Sequence, residues 1–122
     1  MSKGYEYIFL TIFFTVYGQL VIKWQMAGAG ALPGSIVPKL FFLFRMFTNF
    51  WVMSSFVAAF IAALCWMAAL TKFDLNHAYP FMGLTFVLVL LLSNLLFSEP
   101  ITMLKILGVA LILIGIAIGS QG

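Results

Sequence analysis

The stretch YIFLTIFFTVYGQLVIKWQM, residues 7–26, decides the fold class, because Lys23 is its only formally charged residue. A helix of about 20 mostly apolar residues crosses the hydrocarbon core of a bilayer. The whole chain of 122 residues has the same character: 65% of it is hydrophobic, 7% is charged, and its mean hydropathy is +1.19. A soluble domain is about one quarter charged. The sequence therefore predicts an all-α integral membrane protein.

Three further apolar runs reach spanning length, and the breaks between the four runs have the chemistry of loops. AGAGALPGS follows the first run and is rich in Gly and Pro, TKFDLNH precedes the third run, and SEP ends it, because Pro disfavours a helical residue before it. The predicted spans are residues 7–26, 50–70, 78–97 and 102–120. We expect a single transmembrane domain over residues 1–122, a bundle of four helices with both termini on one side of the membrane.

The connection PKLFFLFRMFTN, residues 38–49, is too apolar for an ordinary loop. Pro38 is compatible with the first position of a helix. Lys39 and Arg45 are six residues apart and fall on different faces of such a helix. The segment is predicted to be an interfacial apolar helix between the first two spans, or an extension of the second span.

The basic residues indicate the orientation only weakly. Those on the side of the termini are Lys3 and Lys72, and those on the other side are Lys23, Lys39, Arg45 and Lys105. The positive-inside rule would place the first long loop in the cytoplasm and both termini outside. Lys23 and Lys105 lie within or at the ends of predicted spans and are weak guides to a loop. Dual topology, or a topology set by a partner, therefore stays open.

A polar stripe follows the first predicted span. It consists of residues that recur every four positions and therefore share one helical face: Thr11, Thr15, Gln19 and Lys23. Because polar atoms in hydrocarbon are costly, we expect this face to contact another helix or a water-filled cavity. Lys23 either extends its ammonium to the head groups or attracts a phosphate. Gln19 either handles a polar head or forms a hydrogen bond with another helix.

The fourth predicted span has a face of small residues. Gly115 and Gly119 form a GxxxG pattern, and Gly108 lies on nearly the same face. Small residues at this spacing let helices approach closely. Four short helices also leave the polar stripe with little to enclose it, so we expect a homo- or heterodimer through this face, with an antiparallel arrangement left open.

No residue pattern indicates catalysis. The sequence has no nucleophile–base pair, metal-ligand cluster or phosphate-binding loop, and the single Cys65 excludes a disulfide framework within the chain. We therefore expect no cofactor, no metal and no enzymatic activity. The net charge of +3 gives no indication of a nucleic-acid partner, and none is expected, since basic residues in such a chain usually mark cytoplasmic loops or anionic head groups.

Several motifs resemble the drug/metabolite transporter superfamily in its four-helix, EamA-like form. They are the G-x-x-x-x-K pattern from Gly18 to Lys23, the AYP that opens the third span, and GVALILIGIAI in the fourth. The small multidrug resistance exporters of this superfamily carry a glutamate three residues before that glycine, which binds protons and cationic drugs in turn. Here the position is Thr15. Proton-coupled export of cations would therefore need another acid, such as Glu99.

A closer resemblance is to the small flippase subunits that move 4-amino-4-deoxy-L-arabinose on undecaprenyl phosphate. GQLVIK in the first span, AYPFMGLTFVLV at the start of the third and the SEP that closes it are similar to this family's motifs. The family also lacks the exporter glutamate. The resemblance implies a transporter or flippase in the bacterial inner membrane, one that moves a lipid-linked polyprenyl-phosphate sugar or a similar amphipathic substrate.

The resemblance also implies roles for the polar residues. Those expected to bind substrate are Lys23, helped by Arg45 or Lys39, for the phosphate, and Gln19, Thr15 and Tyr79 for the sugar. The expected partners are membrane lipid, the lipid-linked sugar phosphate and a second subunit. The alternatives are a proton-coupled exporter of cationic compounds and a non-transporting accessory subunit of a membrane enzyme.

Overall fold

The computed structural model describes residues 4–122, which form helices joined by short connections; Lys3 lies outside them. The helices are α1 Tyr5–Ala27, α2 Ile36–Met46, α3 Phe50–Leu70, α4 Leu75–Ala78, α5 Gly83–Phe97 and α6 Met103–Gly119, with a 3₁₀ turn at Tyr79–Met82 between α4 and α5. No strand occurs within the described residues, so the predicted all-α class is confirmed.

Three helical runs are long and apolar enough to cross a bilayer: Tyr5–Ala27, Phe50–Leu70 and Leu75–Phe97. The second has the predicted bounds, and the first extends slightly beyond its prediction at both ends. The fourth apolar helix, α6, has 17 residues, a length of about 25 Å against a hydrocarbon core of about 30 Å. The structure thus contains three candidate spans and one shorter apolar helix. A fourth span and a single domain stay predictions.

The third run begins earlier than predicted and is interrupted near its start. It begins at Leu75, because the Ala78 amide already donates a helical hydrogen bond to the Asp74 carbonyl at 3.0 Å. Pro80 has no amide hydrogen to donate, and the run passes through the 3₁₀ turn Tyr79–Met82 before it continues as α5. The AYP motif is therefore a break inside the run rather than its beginning.

The apolar connection forms a helix of its own, α2, which buries none of its side chains. Asn49 separates α2 from α3 with an extended backbone, and its Oδ1 accepts hydrogen bonds from the amides of Trp51 at 2.9 Å and Val52 at 3.3 Å. This side chain caps the start of α3. The segment is therefore a separate helix and not an extension of the second span, while its interfacial location stays a prediction.

Helix α1 is central: it packs most extensively on α3 and less extensively on α5. It lies close against α3 at Gly18, where an added Cβ would lie 3.3 Å from the carbonyl oxygen of Ser55. Both residues are buried. Around the N-terminal half of α1, a buried apolar cluster joins three elements through Ile8, Ile12, Val16, Ala69 and Ala78. The position of α1 is thus fixed from two sides.

Helix α6 is attached at the edge of this arrangement and buries none of its residues. It contacts α5 and the 3₁₀ turn. An added Cβ on Gly83 would lie 3.1 Å from a side-chain carbon of Ile112 and 3.3 Å from one of Ile116. The rest of the α6 surface is therefore open to lipid or to a second chain.

Replacing Gly18 by leucine should destabilise the contact between α1 and α3, because the new side chain must displace the Ser55 carbonyl. Overpacking of this kind typically costs about 1–3 kcal/mol. Purified Gly18→Leu in detergent should therefore lose its helical circular dichroism at a lower temperature than the wild type. Ala110→Leu adds bulk at an exposed position of α6 and should leave the transition unchanged. An unchanged transition for Gly18→Leu would contradict the packing described.

Candidate functional site

A groove of about 310 Å³ lies between α1, α3 and the 3₁₀ turn. Its walls are mainly apolar, with a few polar groups among them. Thr11, Thr15 and Gln19 of the polar stripe line it from α1, and Tyr79 lines it from the 3₁₀ turn. For these three stripe residues, the prediction that the stripe faces another helix or a cavity is confirmed.

The groove exists because small residues follow the facing sides of two helices. Gly18 brings α1 against Ser55 of α3, while the short side chains of Ala59 and Ala63 leave the space beside that contact unfilled. Ala59, Ala63 and Gln19 are exposed, so the groove opens at the surface of the monomer. Apolar walls with a few placed polar groups are typical of sites that bind small molecules.

The polar groups of the groove differ in what they can offer a ligand. Thr11 is buried, and its hydroxyl already donates to a carbonyl of its own helix at 2.8 Å. Gln19 lies exposed on the rim, so its amide is accessible. Tyr79 is also exposed, and its ring meets that of Trp66 edge-on with 6.1 Å between the centroids. With the half-buried Thr15, the groove presents an amide, a phenol and a hydroxyl.

Lys23 is the member of the predicted stripe that does not line the groove. It lies one turn beyond Gln19, and its Nζ is 3.4 Å from a carboxylate oxygen of Glu99, just after α5. The two side chains are 54% and 43% exposed, so both charges remain accessible. Lys105 lies near the same loop, where its Nζ donates to the Pro100 carbonyl at 3.4 Å. A paired positive and negative charge therefore stands beyond the end of the groove.

The pairing of Lys23 with Glu99 was not foreseen from the sequence, although the order of the runs contained the signal. The first and third runs of an up-and-down helical bundle point in the same direction, so their C-terminal ends lie on the same side. Lys23 is near the first of these ends and Glu99 is near the other. Glu99 was therefore the acid best placed to meet Lys23.

The other two cations expected to hold a phosphate do not join Lys23. Arg45 lines a second cleft of about 440 Å³ between α2 and the end of α1, beside the Gln25 and Asn49 amides, which are hydrogen-bonded at 3.0 Å. Lys39 lines neither cleft. Because Gln25 is two residues beyond Lys23, their side chains leave α1 in nearly opposite directions. The structure thus separates Arg45 and Lys39 from the groove.

The glycine face of α6 has no neighbour in the monomer. An added Cβ on Gly108, Gly115 or Gly119 would meet no atom within 4 Å. The contacts of α6 with the rest of the bundle use Ile112 and Ile116 instead. The face predicted to form a dimer interface is therefore unoccupied, and its use in a dimer stays a prediction.

Known proteins resemble this chain over most of its length. Three relatives are named "Probable 4-amino-4-deoxy-L-arabinose-phosphoundecaprenol flippase subunit". ArnE of Pseudomonas syringae pv. syringae is 32% identical over 103 residues, which cover 84% of this chain and 86% of that protein. ArnF of Photorhabdus laumondii is 31% identical over 131 aligned residues, 98% of each chain. ArnF of Yersinia enterocolitica is 33% identical over 117 residues, 93% of this chain and 91% of that protein. No solved structure matches.

These relatives confirm the resemblance to flippase subunits that the motifs in the first and third runs indicated. Together with the three apolar runs of spanning length, they also confirm an integral protein of the bacterial inner membrane. The family match extends over residues 4–120, which is nearly the whole chain. This chain belongs to the EamA-like transporter family.

Proposed function

We propose that this chain is one subunit of a flippase that moves a polyprenyl-phosphate-linked sugar across the inner membrane. Relatives named for such a function match it over most of its length. The observation that carries the proposal is the groove between α1 and α3, where polar groups are gathered in an otherwise apolar bundle. A sugar crossing hydrocarbon needs such a path, because polar groups without hydrogen-bond partners are costly there.

The groove suits the sugar, and the neighbouring lysine suits the phosphate. Sugar hydroxyls would exchange hydrogen bonds with Gln19, Thr15 and Tyr79 inside the groove. The phosphate would bind Lys23, one turn beyond Gln19, while the exposed rim lets the prenyl chain remain in lipid. We assign the phosphate to Lys23 without the expected help from other cations, because those of α2 lie outside the groove.

The proposed assembly is a bundle of four spanning helices, α6 included, that forms a homo- or heterodimer. The groove opens at the surface of the monomer, so a second subunit is needed to enclose a polar head during transfer. The open glycine face of α6 supports this assembly, as does the word "subunit" in the names of the relatives.

Two other functions remain to be separated from flipping by experiment. Proton-coupled export of cations needs a carboxylate on the substrate path; no acid is among the described residues that line the groove, and Glu99 lies beyond it, paired with Lys23. An accessory role would show as stable co-purification with a membrane enzyme and no flipping in vesicles. Flipping of a labelled polyprenyl-phosphate sugar by the reconstituted dimer, formed by this chain alone or with the subunit that co-purifies with it, supports the proposal, and its absence from that dimer contradicts it.

Removing the Lys23 ammonium should abolish binding of a polyprenyl-phosphate sugar. Lys23→Ala loses the charge, whereas Lys23→Arg should retain much of the binding because the charge survives even though its geometry changes. Binding is measured with the full-length protein in lipid nanodiscs, and flipping in vesicles. Lys105→Ala, which removes an exposed lysine close to the same loop, serves as the control and should change neither. If Lys23→Ala flips the lipid at the wild-type rate at equal membrane abundance, Lys23 serves only to anchor the helix at the head groups.

Replacing the Gln19 amide by an apolar side chain should weaken binding of the sugar. Gln19→Leu should lower the affinity about three- to tenfold, which corresponds to one hydrogen bond, with little effect on folding because leucine suits a spanning helix. Gln121→Leu removes an exposed amide after α6, outside the groove, and serves as the control. Equal losses of affinity in the two variants would show that Gln19 has no special role.

Adding bulk to the glycine face of α6 should separate the subunits. Gly115→Leu should lower the fraction of crosslinked dimer in native membranes about tenfold, since close approach of the helix backbones is lost. Ala110→Leu, on the opposite face of α6, should leave the dimer intact. Full dimer formation by Gly115→Leu would rule out this face, and an active protein that crosslinks only as a monomer would rule out the assembly.

A further inference from the structure

The cleft between α2 and the end of α1 is a second polar site, to which the proposed function assigns no role. Its volume is about 440 Å³, and its walls are more polar than those of the groove. Arg45 of α2 and Gln25 of α1 line it together. Because the side chains of Gln25 and Lys23 leave α1 in nearly opposite directions, this cleft is separate from the groove and from the ion pair of Lys23.

A chain of hydrogen bonds determines which atoms of Gln25 are left for a ligand. The Oδ1 of Asn49 accepts from two amides at the start of α3, so Asn49 turns its Nδ2 to Gln25 and donates to it at 3.0 Å. Gln25 therefore presents its Oε1 to Asn49, and its Nε2 keeps two N–H groups. No acceptor for this Nε2 occurs within residues 4–122. The fold thus leaves an oriented donor without a partner in the cleft.

The positive charge of Arg45 also has no partner in the part of the chain that the structure describes. Arg45 is exposed, and the ion pair found there joins two other residues. No acid is among the described residues that line the cleft. A guanidinium and an amide nitrogen donate hydrogen bonds and accept none. The cleft therefore suits an anion, and the fork of N–H groups on arginine matches the oxygens of a phosphate.

The surroundings of the cleft indicate that this phosphate belongs to a lipid. The cleft lies at the end of a candidate membrane span, and its exposed Trp24 meets Trp51 edge-on with 5.4 Å between the ring centroids. Tryptophan is enriched at the level of the head groups. On α2, the rings of Phe41 and Phe44 are exposed and offer an apolar surface to acyl chains.

We propose that this cleft binds the phosphodiester of an anionic phospholipid, to which Arg45 and the Nε2 of Gln25 donate hydrogen bonds, while the acyl chains lie along α2. This inference is independent of the proposed function, whose substrate lies on another side of α1. A zwitterionic phospholipid carries the same phosphate together with a positive group. The cleft selects against it, because that group meets Arg45 and no acid.

The bound lipid also holds α2 in place. Helix α2 buries none of its side chains and packs only sparsely on the rest of the bundle. A phosphate that bridges Arg45 of α2 and Gln25 of α1 supplies a contact between the two helices, and a ligand stabilises the conformation that binds it. Amide hydrogen exchange of α2 should therefore be slower in nanodiscs that contain phosphatidylglycerol than in nanodiscs of phosphatidylcholine alone. Equal exchange in the two would contradict this bridge.

The binding test titrates the full-length protein in detergent with phosphatidylglycerol, which is anionic, and with phosphatidylcholine, which is zwitterionic, and counts bound lipid by native mass spectrometry. The wild type should bind phosphatidylglycerol about tenfold more tightly, the size expected for one charge-assisted hydrogen bond. Arg45→Gln should lower this ratio to about one. Lys39→Gln removes a cation of the same helix that does not line the cleft and should keep the ratio. Equal wild-type affinities, or equal effects of the two variants, would overturn the assignment.

Gln25→Glu tests the amide and preserves the contact between the helices. The carboxylate still accepts from the Nδ2 of Asn49, but it replaces the free N–H groups by a negative charge that repels the phosphate. This variant should lose the preference for phosphatidylglycerol. Gln121→Glu makes the same change at an exposed position outside the cleft and should retain it. A preference that survives in Gln25→Glu would show that the cleft is not the site.

Two further measurements identify the source of the phosphate. Inorganic phosphate in large excess should leave phosphatidylglycerol bound, because it has no acyl chains to lie along α2; displacement of the lipid would mean that the cleft takes a soluble anion. A polyprenyl-phosphate sugar should bind Arg45→Gln as tightly as the wild type. Weaker binding of that lipid would place the cleft on the substrate path, and the assignment to a phospholipid would be wrong.

Discussion

The contact between Gly18 of α1 and Ser55 of α3 is the constraint on which the rest of the fold depends. Lipid tails are as apolar as the helices, so helices in a membrane associate through close packing and hydrogen bonds rather than through burial of apolar surface. Gly18 permits the close packing, and the hydrogen bond between Gln25 and Asn49 holds the two helices together near the end of α1. Once α1 is fixed in this way, its polar stripe faces the alanines of α3, and the space between the stripe and these short side chains forms the groove.

The parts of the structure that depend on local chemistry were predictable from the sequence. The bounds of α3 match its apolar run, because the run is bordered by Asn49, which caps it, and by the polar TKFD segment. The spacing of Thr15 and Gln19 correctly indicated one face, since helical periodicity is local. The third run was less predictable, because the polar residues after Asp74 hide its first turn and Pro80 suggests a start where the structure has a break.

Contacts between distant parts of the chain were harder to predict, above all for the charges. Lys23 and Glu99 lie more than 70 residues apart, and only the direction of the runs relates them. The separation of Arg45 from Lys23 depends on the direction in which α2 leaves α1, and no local pattern determines that direction. From the sequence alone, Lys23, Lys39 and Arg45 were expected to bind one phosphate together. The fold instead places Arg45 in a cleft with Gln25 and pairs Lys23 with Glu99.

The break at Pro80 makes the third run mechanically uneven. A 3₁₀ turn has poorer hydrogen-bond geometry than an α-helix, and Pro80 removes one donor from it. Bending of this run is therefore easiest at Tyr79–Met82. That turn carries Tyr79 at the groove on one side, and is followed at once by Gly83, on which the isoleucines of α6 rest. A change of angle there would move Tyr79, which lines the groove, and α6, which packs on Gly83, at the same time.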